Sequence, residues 1–266
     1  MNGDPLVRSV VNRKGSHAHS NIPKKCPSDT SCPVSILTKG LQQPPMLAII
    51  SRNEARRNGS DVGETTLFVG EDKMGVKWYE DIISQRMKMP RFKHSKNVAK
   101  EAVRLAKKYG ADVDKAELAG ILHDATKETS EQEQMDLIAR AGIVLTKMER
   151  ESPKLWHAIS GSAYIQVELG INDQEIIDAI RYHTTGRAGM TLLDKVLFIA
   201  DFISADRDYD GVDKMRKAAD KNLDEACLEG MAFTIADLAE RKITIAPDTL
   251  AGYNELAAMR AKVKKS

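Results

Sequence analysis

The sequence predicts an all-α protein, a helical bundle over residues 76–266 preceded by a largely disordered polar extension over residues 1–75. Three observations carry this. From Val76 onward, apolar side chains recur at helical spacing in one stretch after another. Almost nothing there alternates with the period of two that a half-buried strand requires. Before Val76 the chain mixes Pro, Ser, Asn and Gly with scattered charge, as in Ser16-His-Ala-His-Ser-Asn-Ile-Pro, and shows neither period. Such a segment buries too little apolar surface to offset its ordering entropy.

Within the extension, Met46 to Ser51 and Thr65 to Val69 read as short extended pieces, too isolated to build a sheet. His17, His19, Cys26 and Cys32 also fall there, at spacings that match no common zinc pattern, and are read as incidental. In Ser95 to Tyr109, the residues Val98, Ala102, Leu105, Ala106 and Tyr109 line one face of an amphipathic helix that Gly110 ends. Asp114 to Leu122 is apolar nearly all round, which predicts a core helix delivering His123 and Asp124 at its C-terminal end. Ser130 to Ala141 follows, with Met135, Ile138 and Ala139 as its expected buried face, Thr129 or Ser130 as cap and Glu133 completing a capping box. Leu155 to Leu169, Asp173 to Tyr182 and the very apolar Thr191 to Ile203 are the next helices. Asp210 to Cys227, Leu228 to Arg241 and, after Pro247, Leu250 to Val263 complete the set.

A chain of 266 residues with 42% hydrophobic content can build a sizeable core. Its 40 basic and 38 acidic residues leave a net charge of only +2, so no global field suggests a nucleic-acid or membrane partner. Any anionic substrate must therefore be held locally. The polar start lacks the apolar core of a signal peptide, and Met46 to Ile50 is too short to span a bilayer. Three cysteines are an odd count and too few for a disulfide scaffold, which fits a reducing, cytoplasmic setting.

Six residues stand out chemically: His94, His123, Asp124, His157, His183 and Asp201. Imidazole nitrogens and carboxylate oxygens together suit a divalent transition metal, and a catalytic metal needs only these plus an open position for water. Each residue taken singly reads as an ordinary core or surface group. Their placement is what joins them. Asp201 lies in Lys195-Val-Leu-Phe-Ile-Ala-Asp-Phe-Ile, where an ionised carboxylate needs a cation or a cap. His123-Asp124 follows an equally apolar run, and metal coordination would satisfy all these groups at once.

The order His94, His123-Asp124, Asp201 is similar to the pattern of the HD phosphohydrolase superfamily. The added His157 and His183 resemble the ligands of its dinuclear members. The segments Arg91-Phe-Lys-His-Ser-Lys-Asn-Val-Ala, Ala116-Glu-Leu-Ala-Gly-Ile-Leu-His-Asp-Ala-Thr-Lys, Trp156-His-Ala, Ala179-Ile-Arg-Tyr-His-Thr-Thr-Gly and Leu193-Asp-Lys-Val-Leu-Phe-Ile-Ala-Asp-Phe-Ile resemble the YqeK family. The resemblance spans about residues 76–258. It implies an HD-type helical bundle that cleaves a dinucleoside polyphosphate, diadenosine tetraphosphate, symmetrically into two ADP through a metal-bound hydroxide. It also implies two divalent transition-metal ions, with iron as the expected metal. His94, His123, Asp124 and Asp201 would hold one ion and His157 and His183 the second, with Asp124 bridging.

For the polyphosphate, Lys127 stands one turn past Asp124, and Arg187 and Arg207 are further candidate phosphate partners. Thr184, Thr185 and Gly186 are candidates to wrap the ligand, Gly186 serving equally as a plain turn residue. Trp156 reads as packing that orients His157. Two features depart from the family pattern. Ser204-Ala-Asp-Arg207 replaces a Pro-Gly-Arg type sequence, keeping the arginine, and residues 1–75 have no counterpart, so that Met74 would be a natural start. Two alternatives stay open, an HD hydrolase of another nucleotide phosphoester and a non-catalytic nucleotide-sensing module. A nucleotidyltransferase would need a Gly-x-x-x-x-Gly-Lys or His-x-x-His motif near a strand, and neither is present. A homodimer through the closing helices is compatible with the sequence, although no residue pattern marks an interface.

Overall fold

A computed structural model of the chain describes residues 75–263. The expectations for the N-terminal extension, including Met46 to Ser51, Thr65 to Val69 and the His17, His19, Cys26 and Cys32 group, lie outside the described residues. Among the described residues there are eleven α-helices and no strand. None of these helices is long and apolar enough to cross a membrane.

The first is α1 (Val76–Ser84), followed by α2 (Met89–Tyr109), which starts six residues earlier than its apolar stripe suggests. Pro90 sits in its first turn, where the missing N–H has no intrahelical partner to lose, and Gly110 ends it in the left-handed conformation at φ +82°. The α3 helix (Val113–Leu122) is capped by the Asp112 carboxylate, which accepts from Lys115 N–H at 3.0 Å. Ser130 caps α4 (Glu131–Arg140) by accepting from Glu133 N–H at 3.1 Å. The expected capping box is not completed there, because the Glu133 carboxylate accepts instead from Arg86 at 2.6 Å. The buried face of α4 is Gln134, Leu137 and Ile138, with Met135 half-buried and Ala139 exposed, a register correction of the expected face.

A short α5 (Lys147–Arg150), which no periodicity revealed, is held by a capping box between Thr146 and Glu149. Then come α6 (Pro153–Val167), α7 (Gln174–Tyr182) and α8 (Leu192–Ile203), the last capped by a box between Thr191 and Asp194. The next break falls at Asn222 rather than at the expected Cys227: α9 (Val212–Lys221) ends and α10 (Leu223–Glu240) begins there. Asn222 takes an extended conformation, and its side chain accepts from Glu225 N–H at 3.0 Å. Cys227 therefore lies inside α10, fully buried. Pro247 opens α11 (Pro247–Val263).

The core is one large cluster with a smaller one, Ile138, Leu145 and Ile159, beside it. The α2 helix packs on α3 and α8, α7 on α6 and α8, and α3 touches both α7 and α8. Helices α9 and α10 pack on α8 and α11 on α10, and α4 and α5 lean on α6. Ile83, Val98, Leu105, Ile121, Leu122, Ile180, Leu197 and Phe198 are among the side chains sealed at the centre. Arg187 ties α7 to α8, donating to Asp194 at 2.8 and 2.9 Å and pairing with Asp178 at 3.1 Å.

The tightest approach is between α2 and α3, where a Cβ on Gly120 would lie 2.5 Å from Ala99 Cα. A backbone atom cannot yield as a flexible side chain can, so Gly120→Ala should destabilise the fold by about 1–3 kcal/mol. A lowered midpoint in urea denaturation is the expected reading; an unchanged midpoint would show that the two helices can move apart freely.

Candidate metal centre

The six candidate ligands converge from five helices. His94 is in the second turn of α2, His123 caps α3 with Asp124 next, His157 is in α6, His183 caps α7 and Asp201 is in α8. The four imidazoles form a chain of edge-on contacts, with ring centroids 5.4 Å apart for His94 and His123, 5.0 Å for His123 and His183, and 5.2 Å for His183 and His157. All four histidines and Asp124 are buried.

Each imidazole is held from behind. His123, His157 and His183 donate Nδ1–H to the carbonyl three residues earlier, Gly120 at 2.8 Å, Lys154 at 2.8 Å and Ile180 at 2.7 Å. His94 Nδ1 meets the Asp206 carboxylate at 2.7 Å, and Asn97 donates to the other Asp206 oxygen at 2.9 Å. A carbonyl can only accept, so in those three rings the proton sits on Nδ1 and Nε2 keeps its lone pair. Such outward hydrogen bonds are the usual support of metal-ligating histidines.

What the Nε2 atoms face is the test of a metal. His94 Nε2, His123 Nε2 and Asp124 Oδ1 are buried without a hydrogen-bond partner. His94 Nε2 stands 3.0 Å from Asp201 Oδ1, yet off the direction a hydrogen bond would take. Two donors held at about 2.1 Å by one cation, at right angles, lie about 3.0 Å apart, so this spacing suits a shared ion. Two groups of donors lie within 4.8 Å of one another, His94–His123–Asp201 and His123–Asp124–His183. Asp124 faces both ways: Oδ2 is 3.5 Å from His123 Nε2, while Oδ1 is 3.5 Å from His157 Nε2 and 3.7 Å from His183 Nε2. His157 is outside both groups, its Nε2 receiving the Lys127 ammonium at 2.9 Å. The donor set fits a divalent metal.

Electrostatics point the same way. Burial alone would raise the Asp124 carboxyl, but His123 and His183 outweigh it and hold the pKa well below the usual range. Burial would likewise raise Asp201, and His94, His123 and Arg207 together hold it low. Burial would lower His123, yet Asp124 and Asp201 raise it, which is a demand for positive charge at that spot. Burial, with His183 and Lys127 adding to it, pushes His157 down to about 3, leaving a neutral imidazole whose Nε2 lone pair meets the Lys127 ammonium.

Of the other candidates from the sequence, Lys127, Thr184 and Arg207 are brought to the cluster. Successive turns after α3 place Lys127 beside Asp124, its N–H donating to Asp124 O at 2.9 Å. Although the residue is exposed, its ammonium turns inward, and its pKa is lowered by burial, with Arg91 and Arg207 adding to the effect. Thr184 Oγ1 lies 3.2 Å from His183 Nε2 and 3.3 Å from His157 Nε2. Arg207 pairs with the Asp201 carboxylate and donates to Asp201 O at 2.7 Å. Arg187 and Gly186 are not brought there. The Arg187 guanidinium is engaged by Asp178 and Asp194 and lies over the Tyr182 ring, 4.9 Å from its centroid. Gly186 is a turn residue at φ +62°, so close to α10 that a Cβ would meet Met231 Cε at 2.3 Å. Trp156 donates to Glu149 O at 2.7 Å and packs on Ile138, Leu145 and Ile159.

Two residues escaped the sequence reading. Arg91 donates to Asp124 Oδ2 at 2.9 Å, and Asp206 holds His94. Arg91 precedes His94 by three residues, so the two share a face only once the helix is known to begin at Met89. Asp206 is 112 residues from its partner, and no local spacing could have revealed that contact.

A family model described as "HD domain" matches residues 91–206. The chain is 40% identical to the symmetrical bis(5'-nucleosyl)-tetraphosphatase of Bacillus subtilis (strain 168) over 65% of its own length and 93% of that protein. It is 34% identical to the protein of the same name from Staphylococcus aureus (strain NCTC 8325 / PS 47), over 66% of this chain and 92% of that one. The 1.50 Å crystal structure of a "predicted HD superfamily hydrolase involved in NAD metabolism" from Clostridium acetobutylicum shares 33% identity and superposes with a TM-score of 0.67, covering 69% of this chain and 97% of that one. The His/Asp cluster and these likenesses together place the chain in the HD-domain family, in the YqeK-type branch that holds these tetraphosphatases.

Proposed function

We propose that the chain is a metal-dependent hydrolase that cleaves diadenosine tetraphosphate symmetrically into two molecules of ADP. The observation that carries this is the cluster of four histidines and two aspartates, all but Asp201 buried, with lone pairs turned inward, in a chain 40% identical to a symmetrical tetraphosphatase along 93% of that protein's length. His94, His123, Asp124 and Asp201 would hold one cation and His157 and His183 the second, with Asp124 shared; iron is the metal we assign. A bound pair of this kind supplies Lewis acidity and an activated water.

The chain's own residues do the rest. Arg91 holds Asp124 Oδ2 at 2.9 Å and so fixes the plane of the carboxylate that faces both sides of the cluster. The single lone pair on His157 Nε2 serves one partner at a time, so in the metal-loaded protein Lys127 is released to donate to a phosphoryl oxygen. Arg207, at the mouth beside Asp201, offers further donors to a polyphosphate carrying several negative charges. Symmetric cleavage requires attack at a β-phosphorus with ADP as leaving group; Lys127 and Arg207 would offset part of the charge that develops, and bound cations would supply the rest. We assign this chemistry to residues 76–266 and propose that residues 1–75 are dispensable.

Incubation with diadenosine tetraphosphate followed by chromatography should give ADP as the sole nucleotide product; AMP or ATP among the products would point to another phosphoester. Asp124→Ala should lower turnover at least about 10²-fold while the helical circular dichroism spectrum persists. Retained activity would remove Asp124 from the centre.

A chelator should abolish turnover and added divalent metal restore it. Asp206→Ala, which frees His94 Nδ1, should weaken metal binding by about 10- to 100-fold in a competition titration. Metal affinity equal to that of the wild type would show that His94 needs no such support. A chain beginning at Met74 should keep its full activity, and its loss would give the extension a role.

A further inference from the structure

Immediately beside the metal cluster is a cleft of about 410 Å³, lined at its inner end by His183, Thr184, Asp201 and Arg207 and farther out by Phe202, Tyr209, Phe233, Thr234, Asp237 and Leu238. Its volume lies in the range of small-molecule sites. The outer wall is built by α10, whose core face is Ala226, Cys227, Gly230 and Met231. Gly230 lets that helix lie against α8, since a Cβ there would stand 3.1 Å from Phe198 Cε1. One turn on, Phe233, Thr234, Asp237 and Leu238 face the cleft.

Phe233 is unusual for its helix. It is 49% exposed and stacks at a tilt on Tyr209, with ring centroids 5.6 Å apart. A large aromatic ring left open to water beside a charged centre contributes little to folding. It does offer a flat apolar face to a planar ligand. Two of the outer polar groups are acceptors, the Asp237 carboxylate, partly engaged by Arg241 at 2.8 Å, and Thr234 Oγ1, whose proton is given to Gly230 O at 3.0 Å, while the Tyr209 hydroxyl is buried without a hydrogen-bond partner. A carboxylate there disfavours a further phosphate and favours a ligand that brings N–H or O–H donors. A nucleoside has both the flat face and the donors.

We propose that this cleft seats one nucleoside of the substrate, with Phe233 stacking on the base and Tyr209 backing Phe233, while the phosphates run inward past Arg207 to the metal centre. This rests on the phosphohydrolase reading above and adds where, and by which side chains, the base is gripped. Base–aromatic stacking is sequence-tolerant, so the site selects for a base before it selects which base.

Calorimetric titration of the metal-loaded full-length protein with ADP, and separately with inorganic pyrophosphate, tests the assignment. Phe233→Ala should weaken ADP binding roughly tenfold and leave pyrophosphate binding unchanged, and Phe233→Trp should restore ADP affinity. Unchanged ADP affinity in Phe233→Ala, or an equal loss for both probes, would overturn the proposal. Wild-type protein that leaves diadenosine tetraphosphate intact, yet binds ADP in a Phe233-dependent way, would overturn the substrate assignment and uphold the nucleoside site.

Discussion

A carboxylate sealed among apolar helices is stable as an anion only if positive charge or several donors meet it, and this protein seals one and half-buries a second. Asp124 is 4% exposed and follows an apolar helix, and Asp201 lies inside the most apolar helix of the chain. Around them the fold gathers four imidazoles, two guanidiniums and an ammonium. Even so, Asp124 Oδ1 and the Nε2 atoms of His94 and His123 keep no hydrogen-bond partner. The helices are positioned so that these groups share one centre, and a divalent cation completes what the side chains leave unsatisfied.

Helix ends do much of the positioning. His123 and His183 cap α3 and α7, and each ring donates to a carbonyl of its own helix's last turn, which fixes its orientation. His94 sits in the second turn of α2 on its inner face, and it relies on Asp206 from a loop far along the chain. A ring held by its own helix carries its orientation locally; a ring held by another segment depends on the whole bundle being formed.

The helices that escaped correct delimitation show what a single sequence hides. The start of α2 lies upstream of its apolar stripe because Met89 to Lys93 enter the helix with little apolar burial of their own. The division between α9 and α10 depends on one asparagine, whose side chain competes with the backbone and caps the next helix, although the run through Cys227 has continuous helical character. At Glu133, an intended capping partner is drawn off by Arg86, a residue 47 positions away. Arg187 likewise read as a candidate phosphate partner, and the structure commits it to two carboxylates on α7 and α8.

The sequence by itself determined the all-helical class, the ligand types and their placement near apolar runs, because periodicity and composition are local properties. It also carried the resemblance that named the family. Only the tertiary structure decided that Asp124 faces both sides of the cluster, that Arg91 and Asp206 support it, and that Phe233 borders the cleft beside it. Those relations join residues tens to more than a hundred positions apart. They exist only once helices have packed, since the angle at which one helix crosses another is set by shape complementarity across the whole interface.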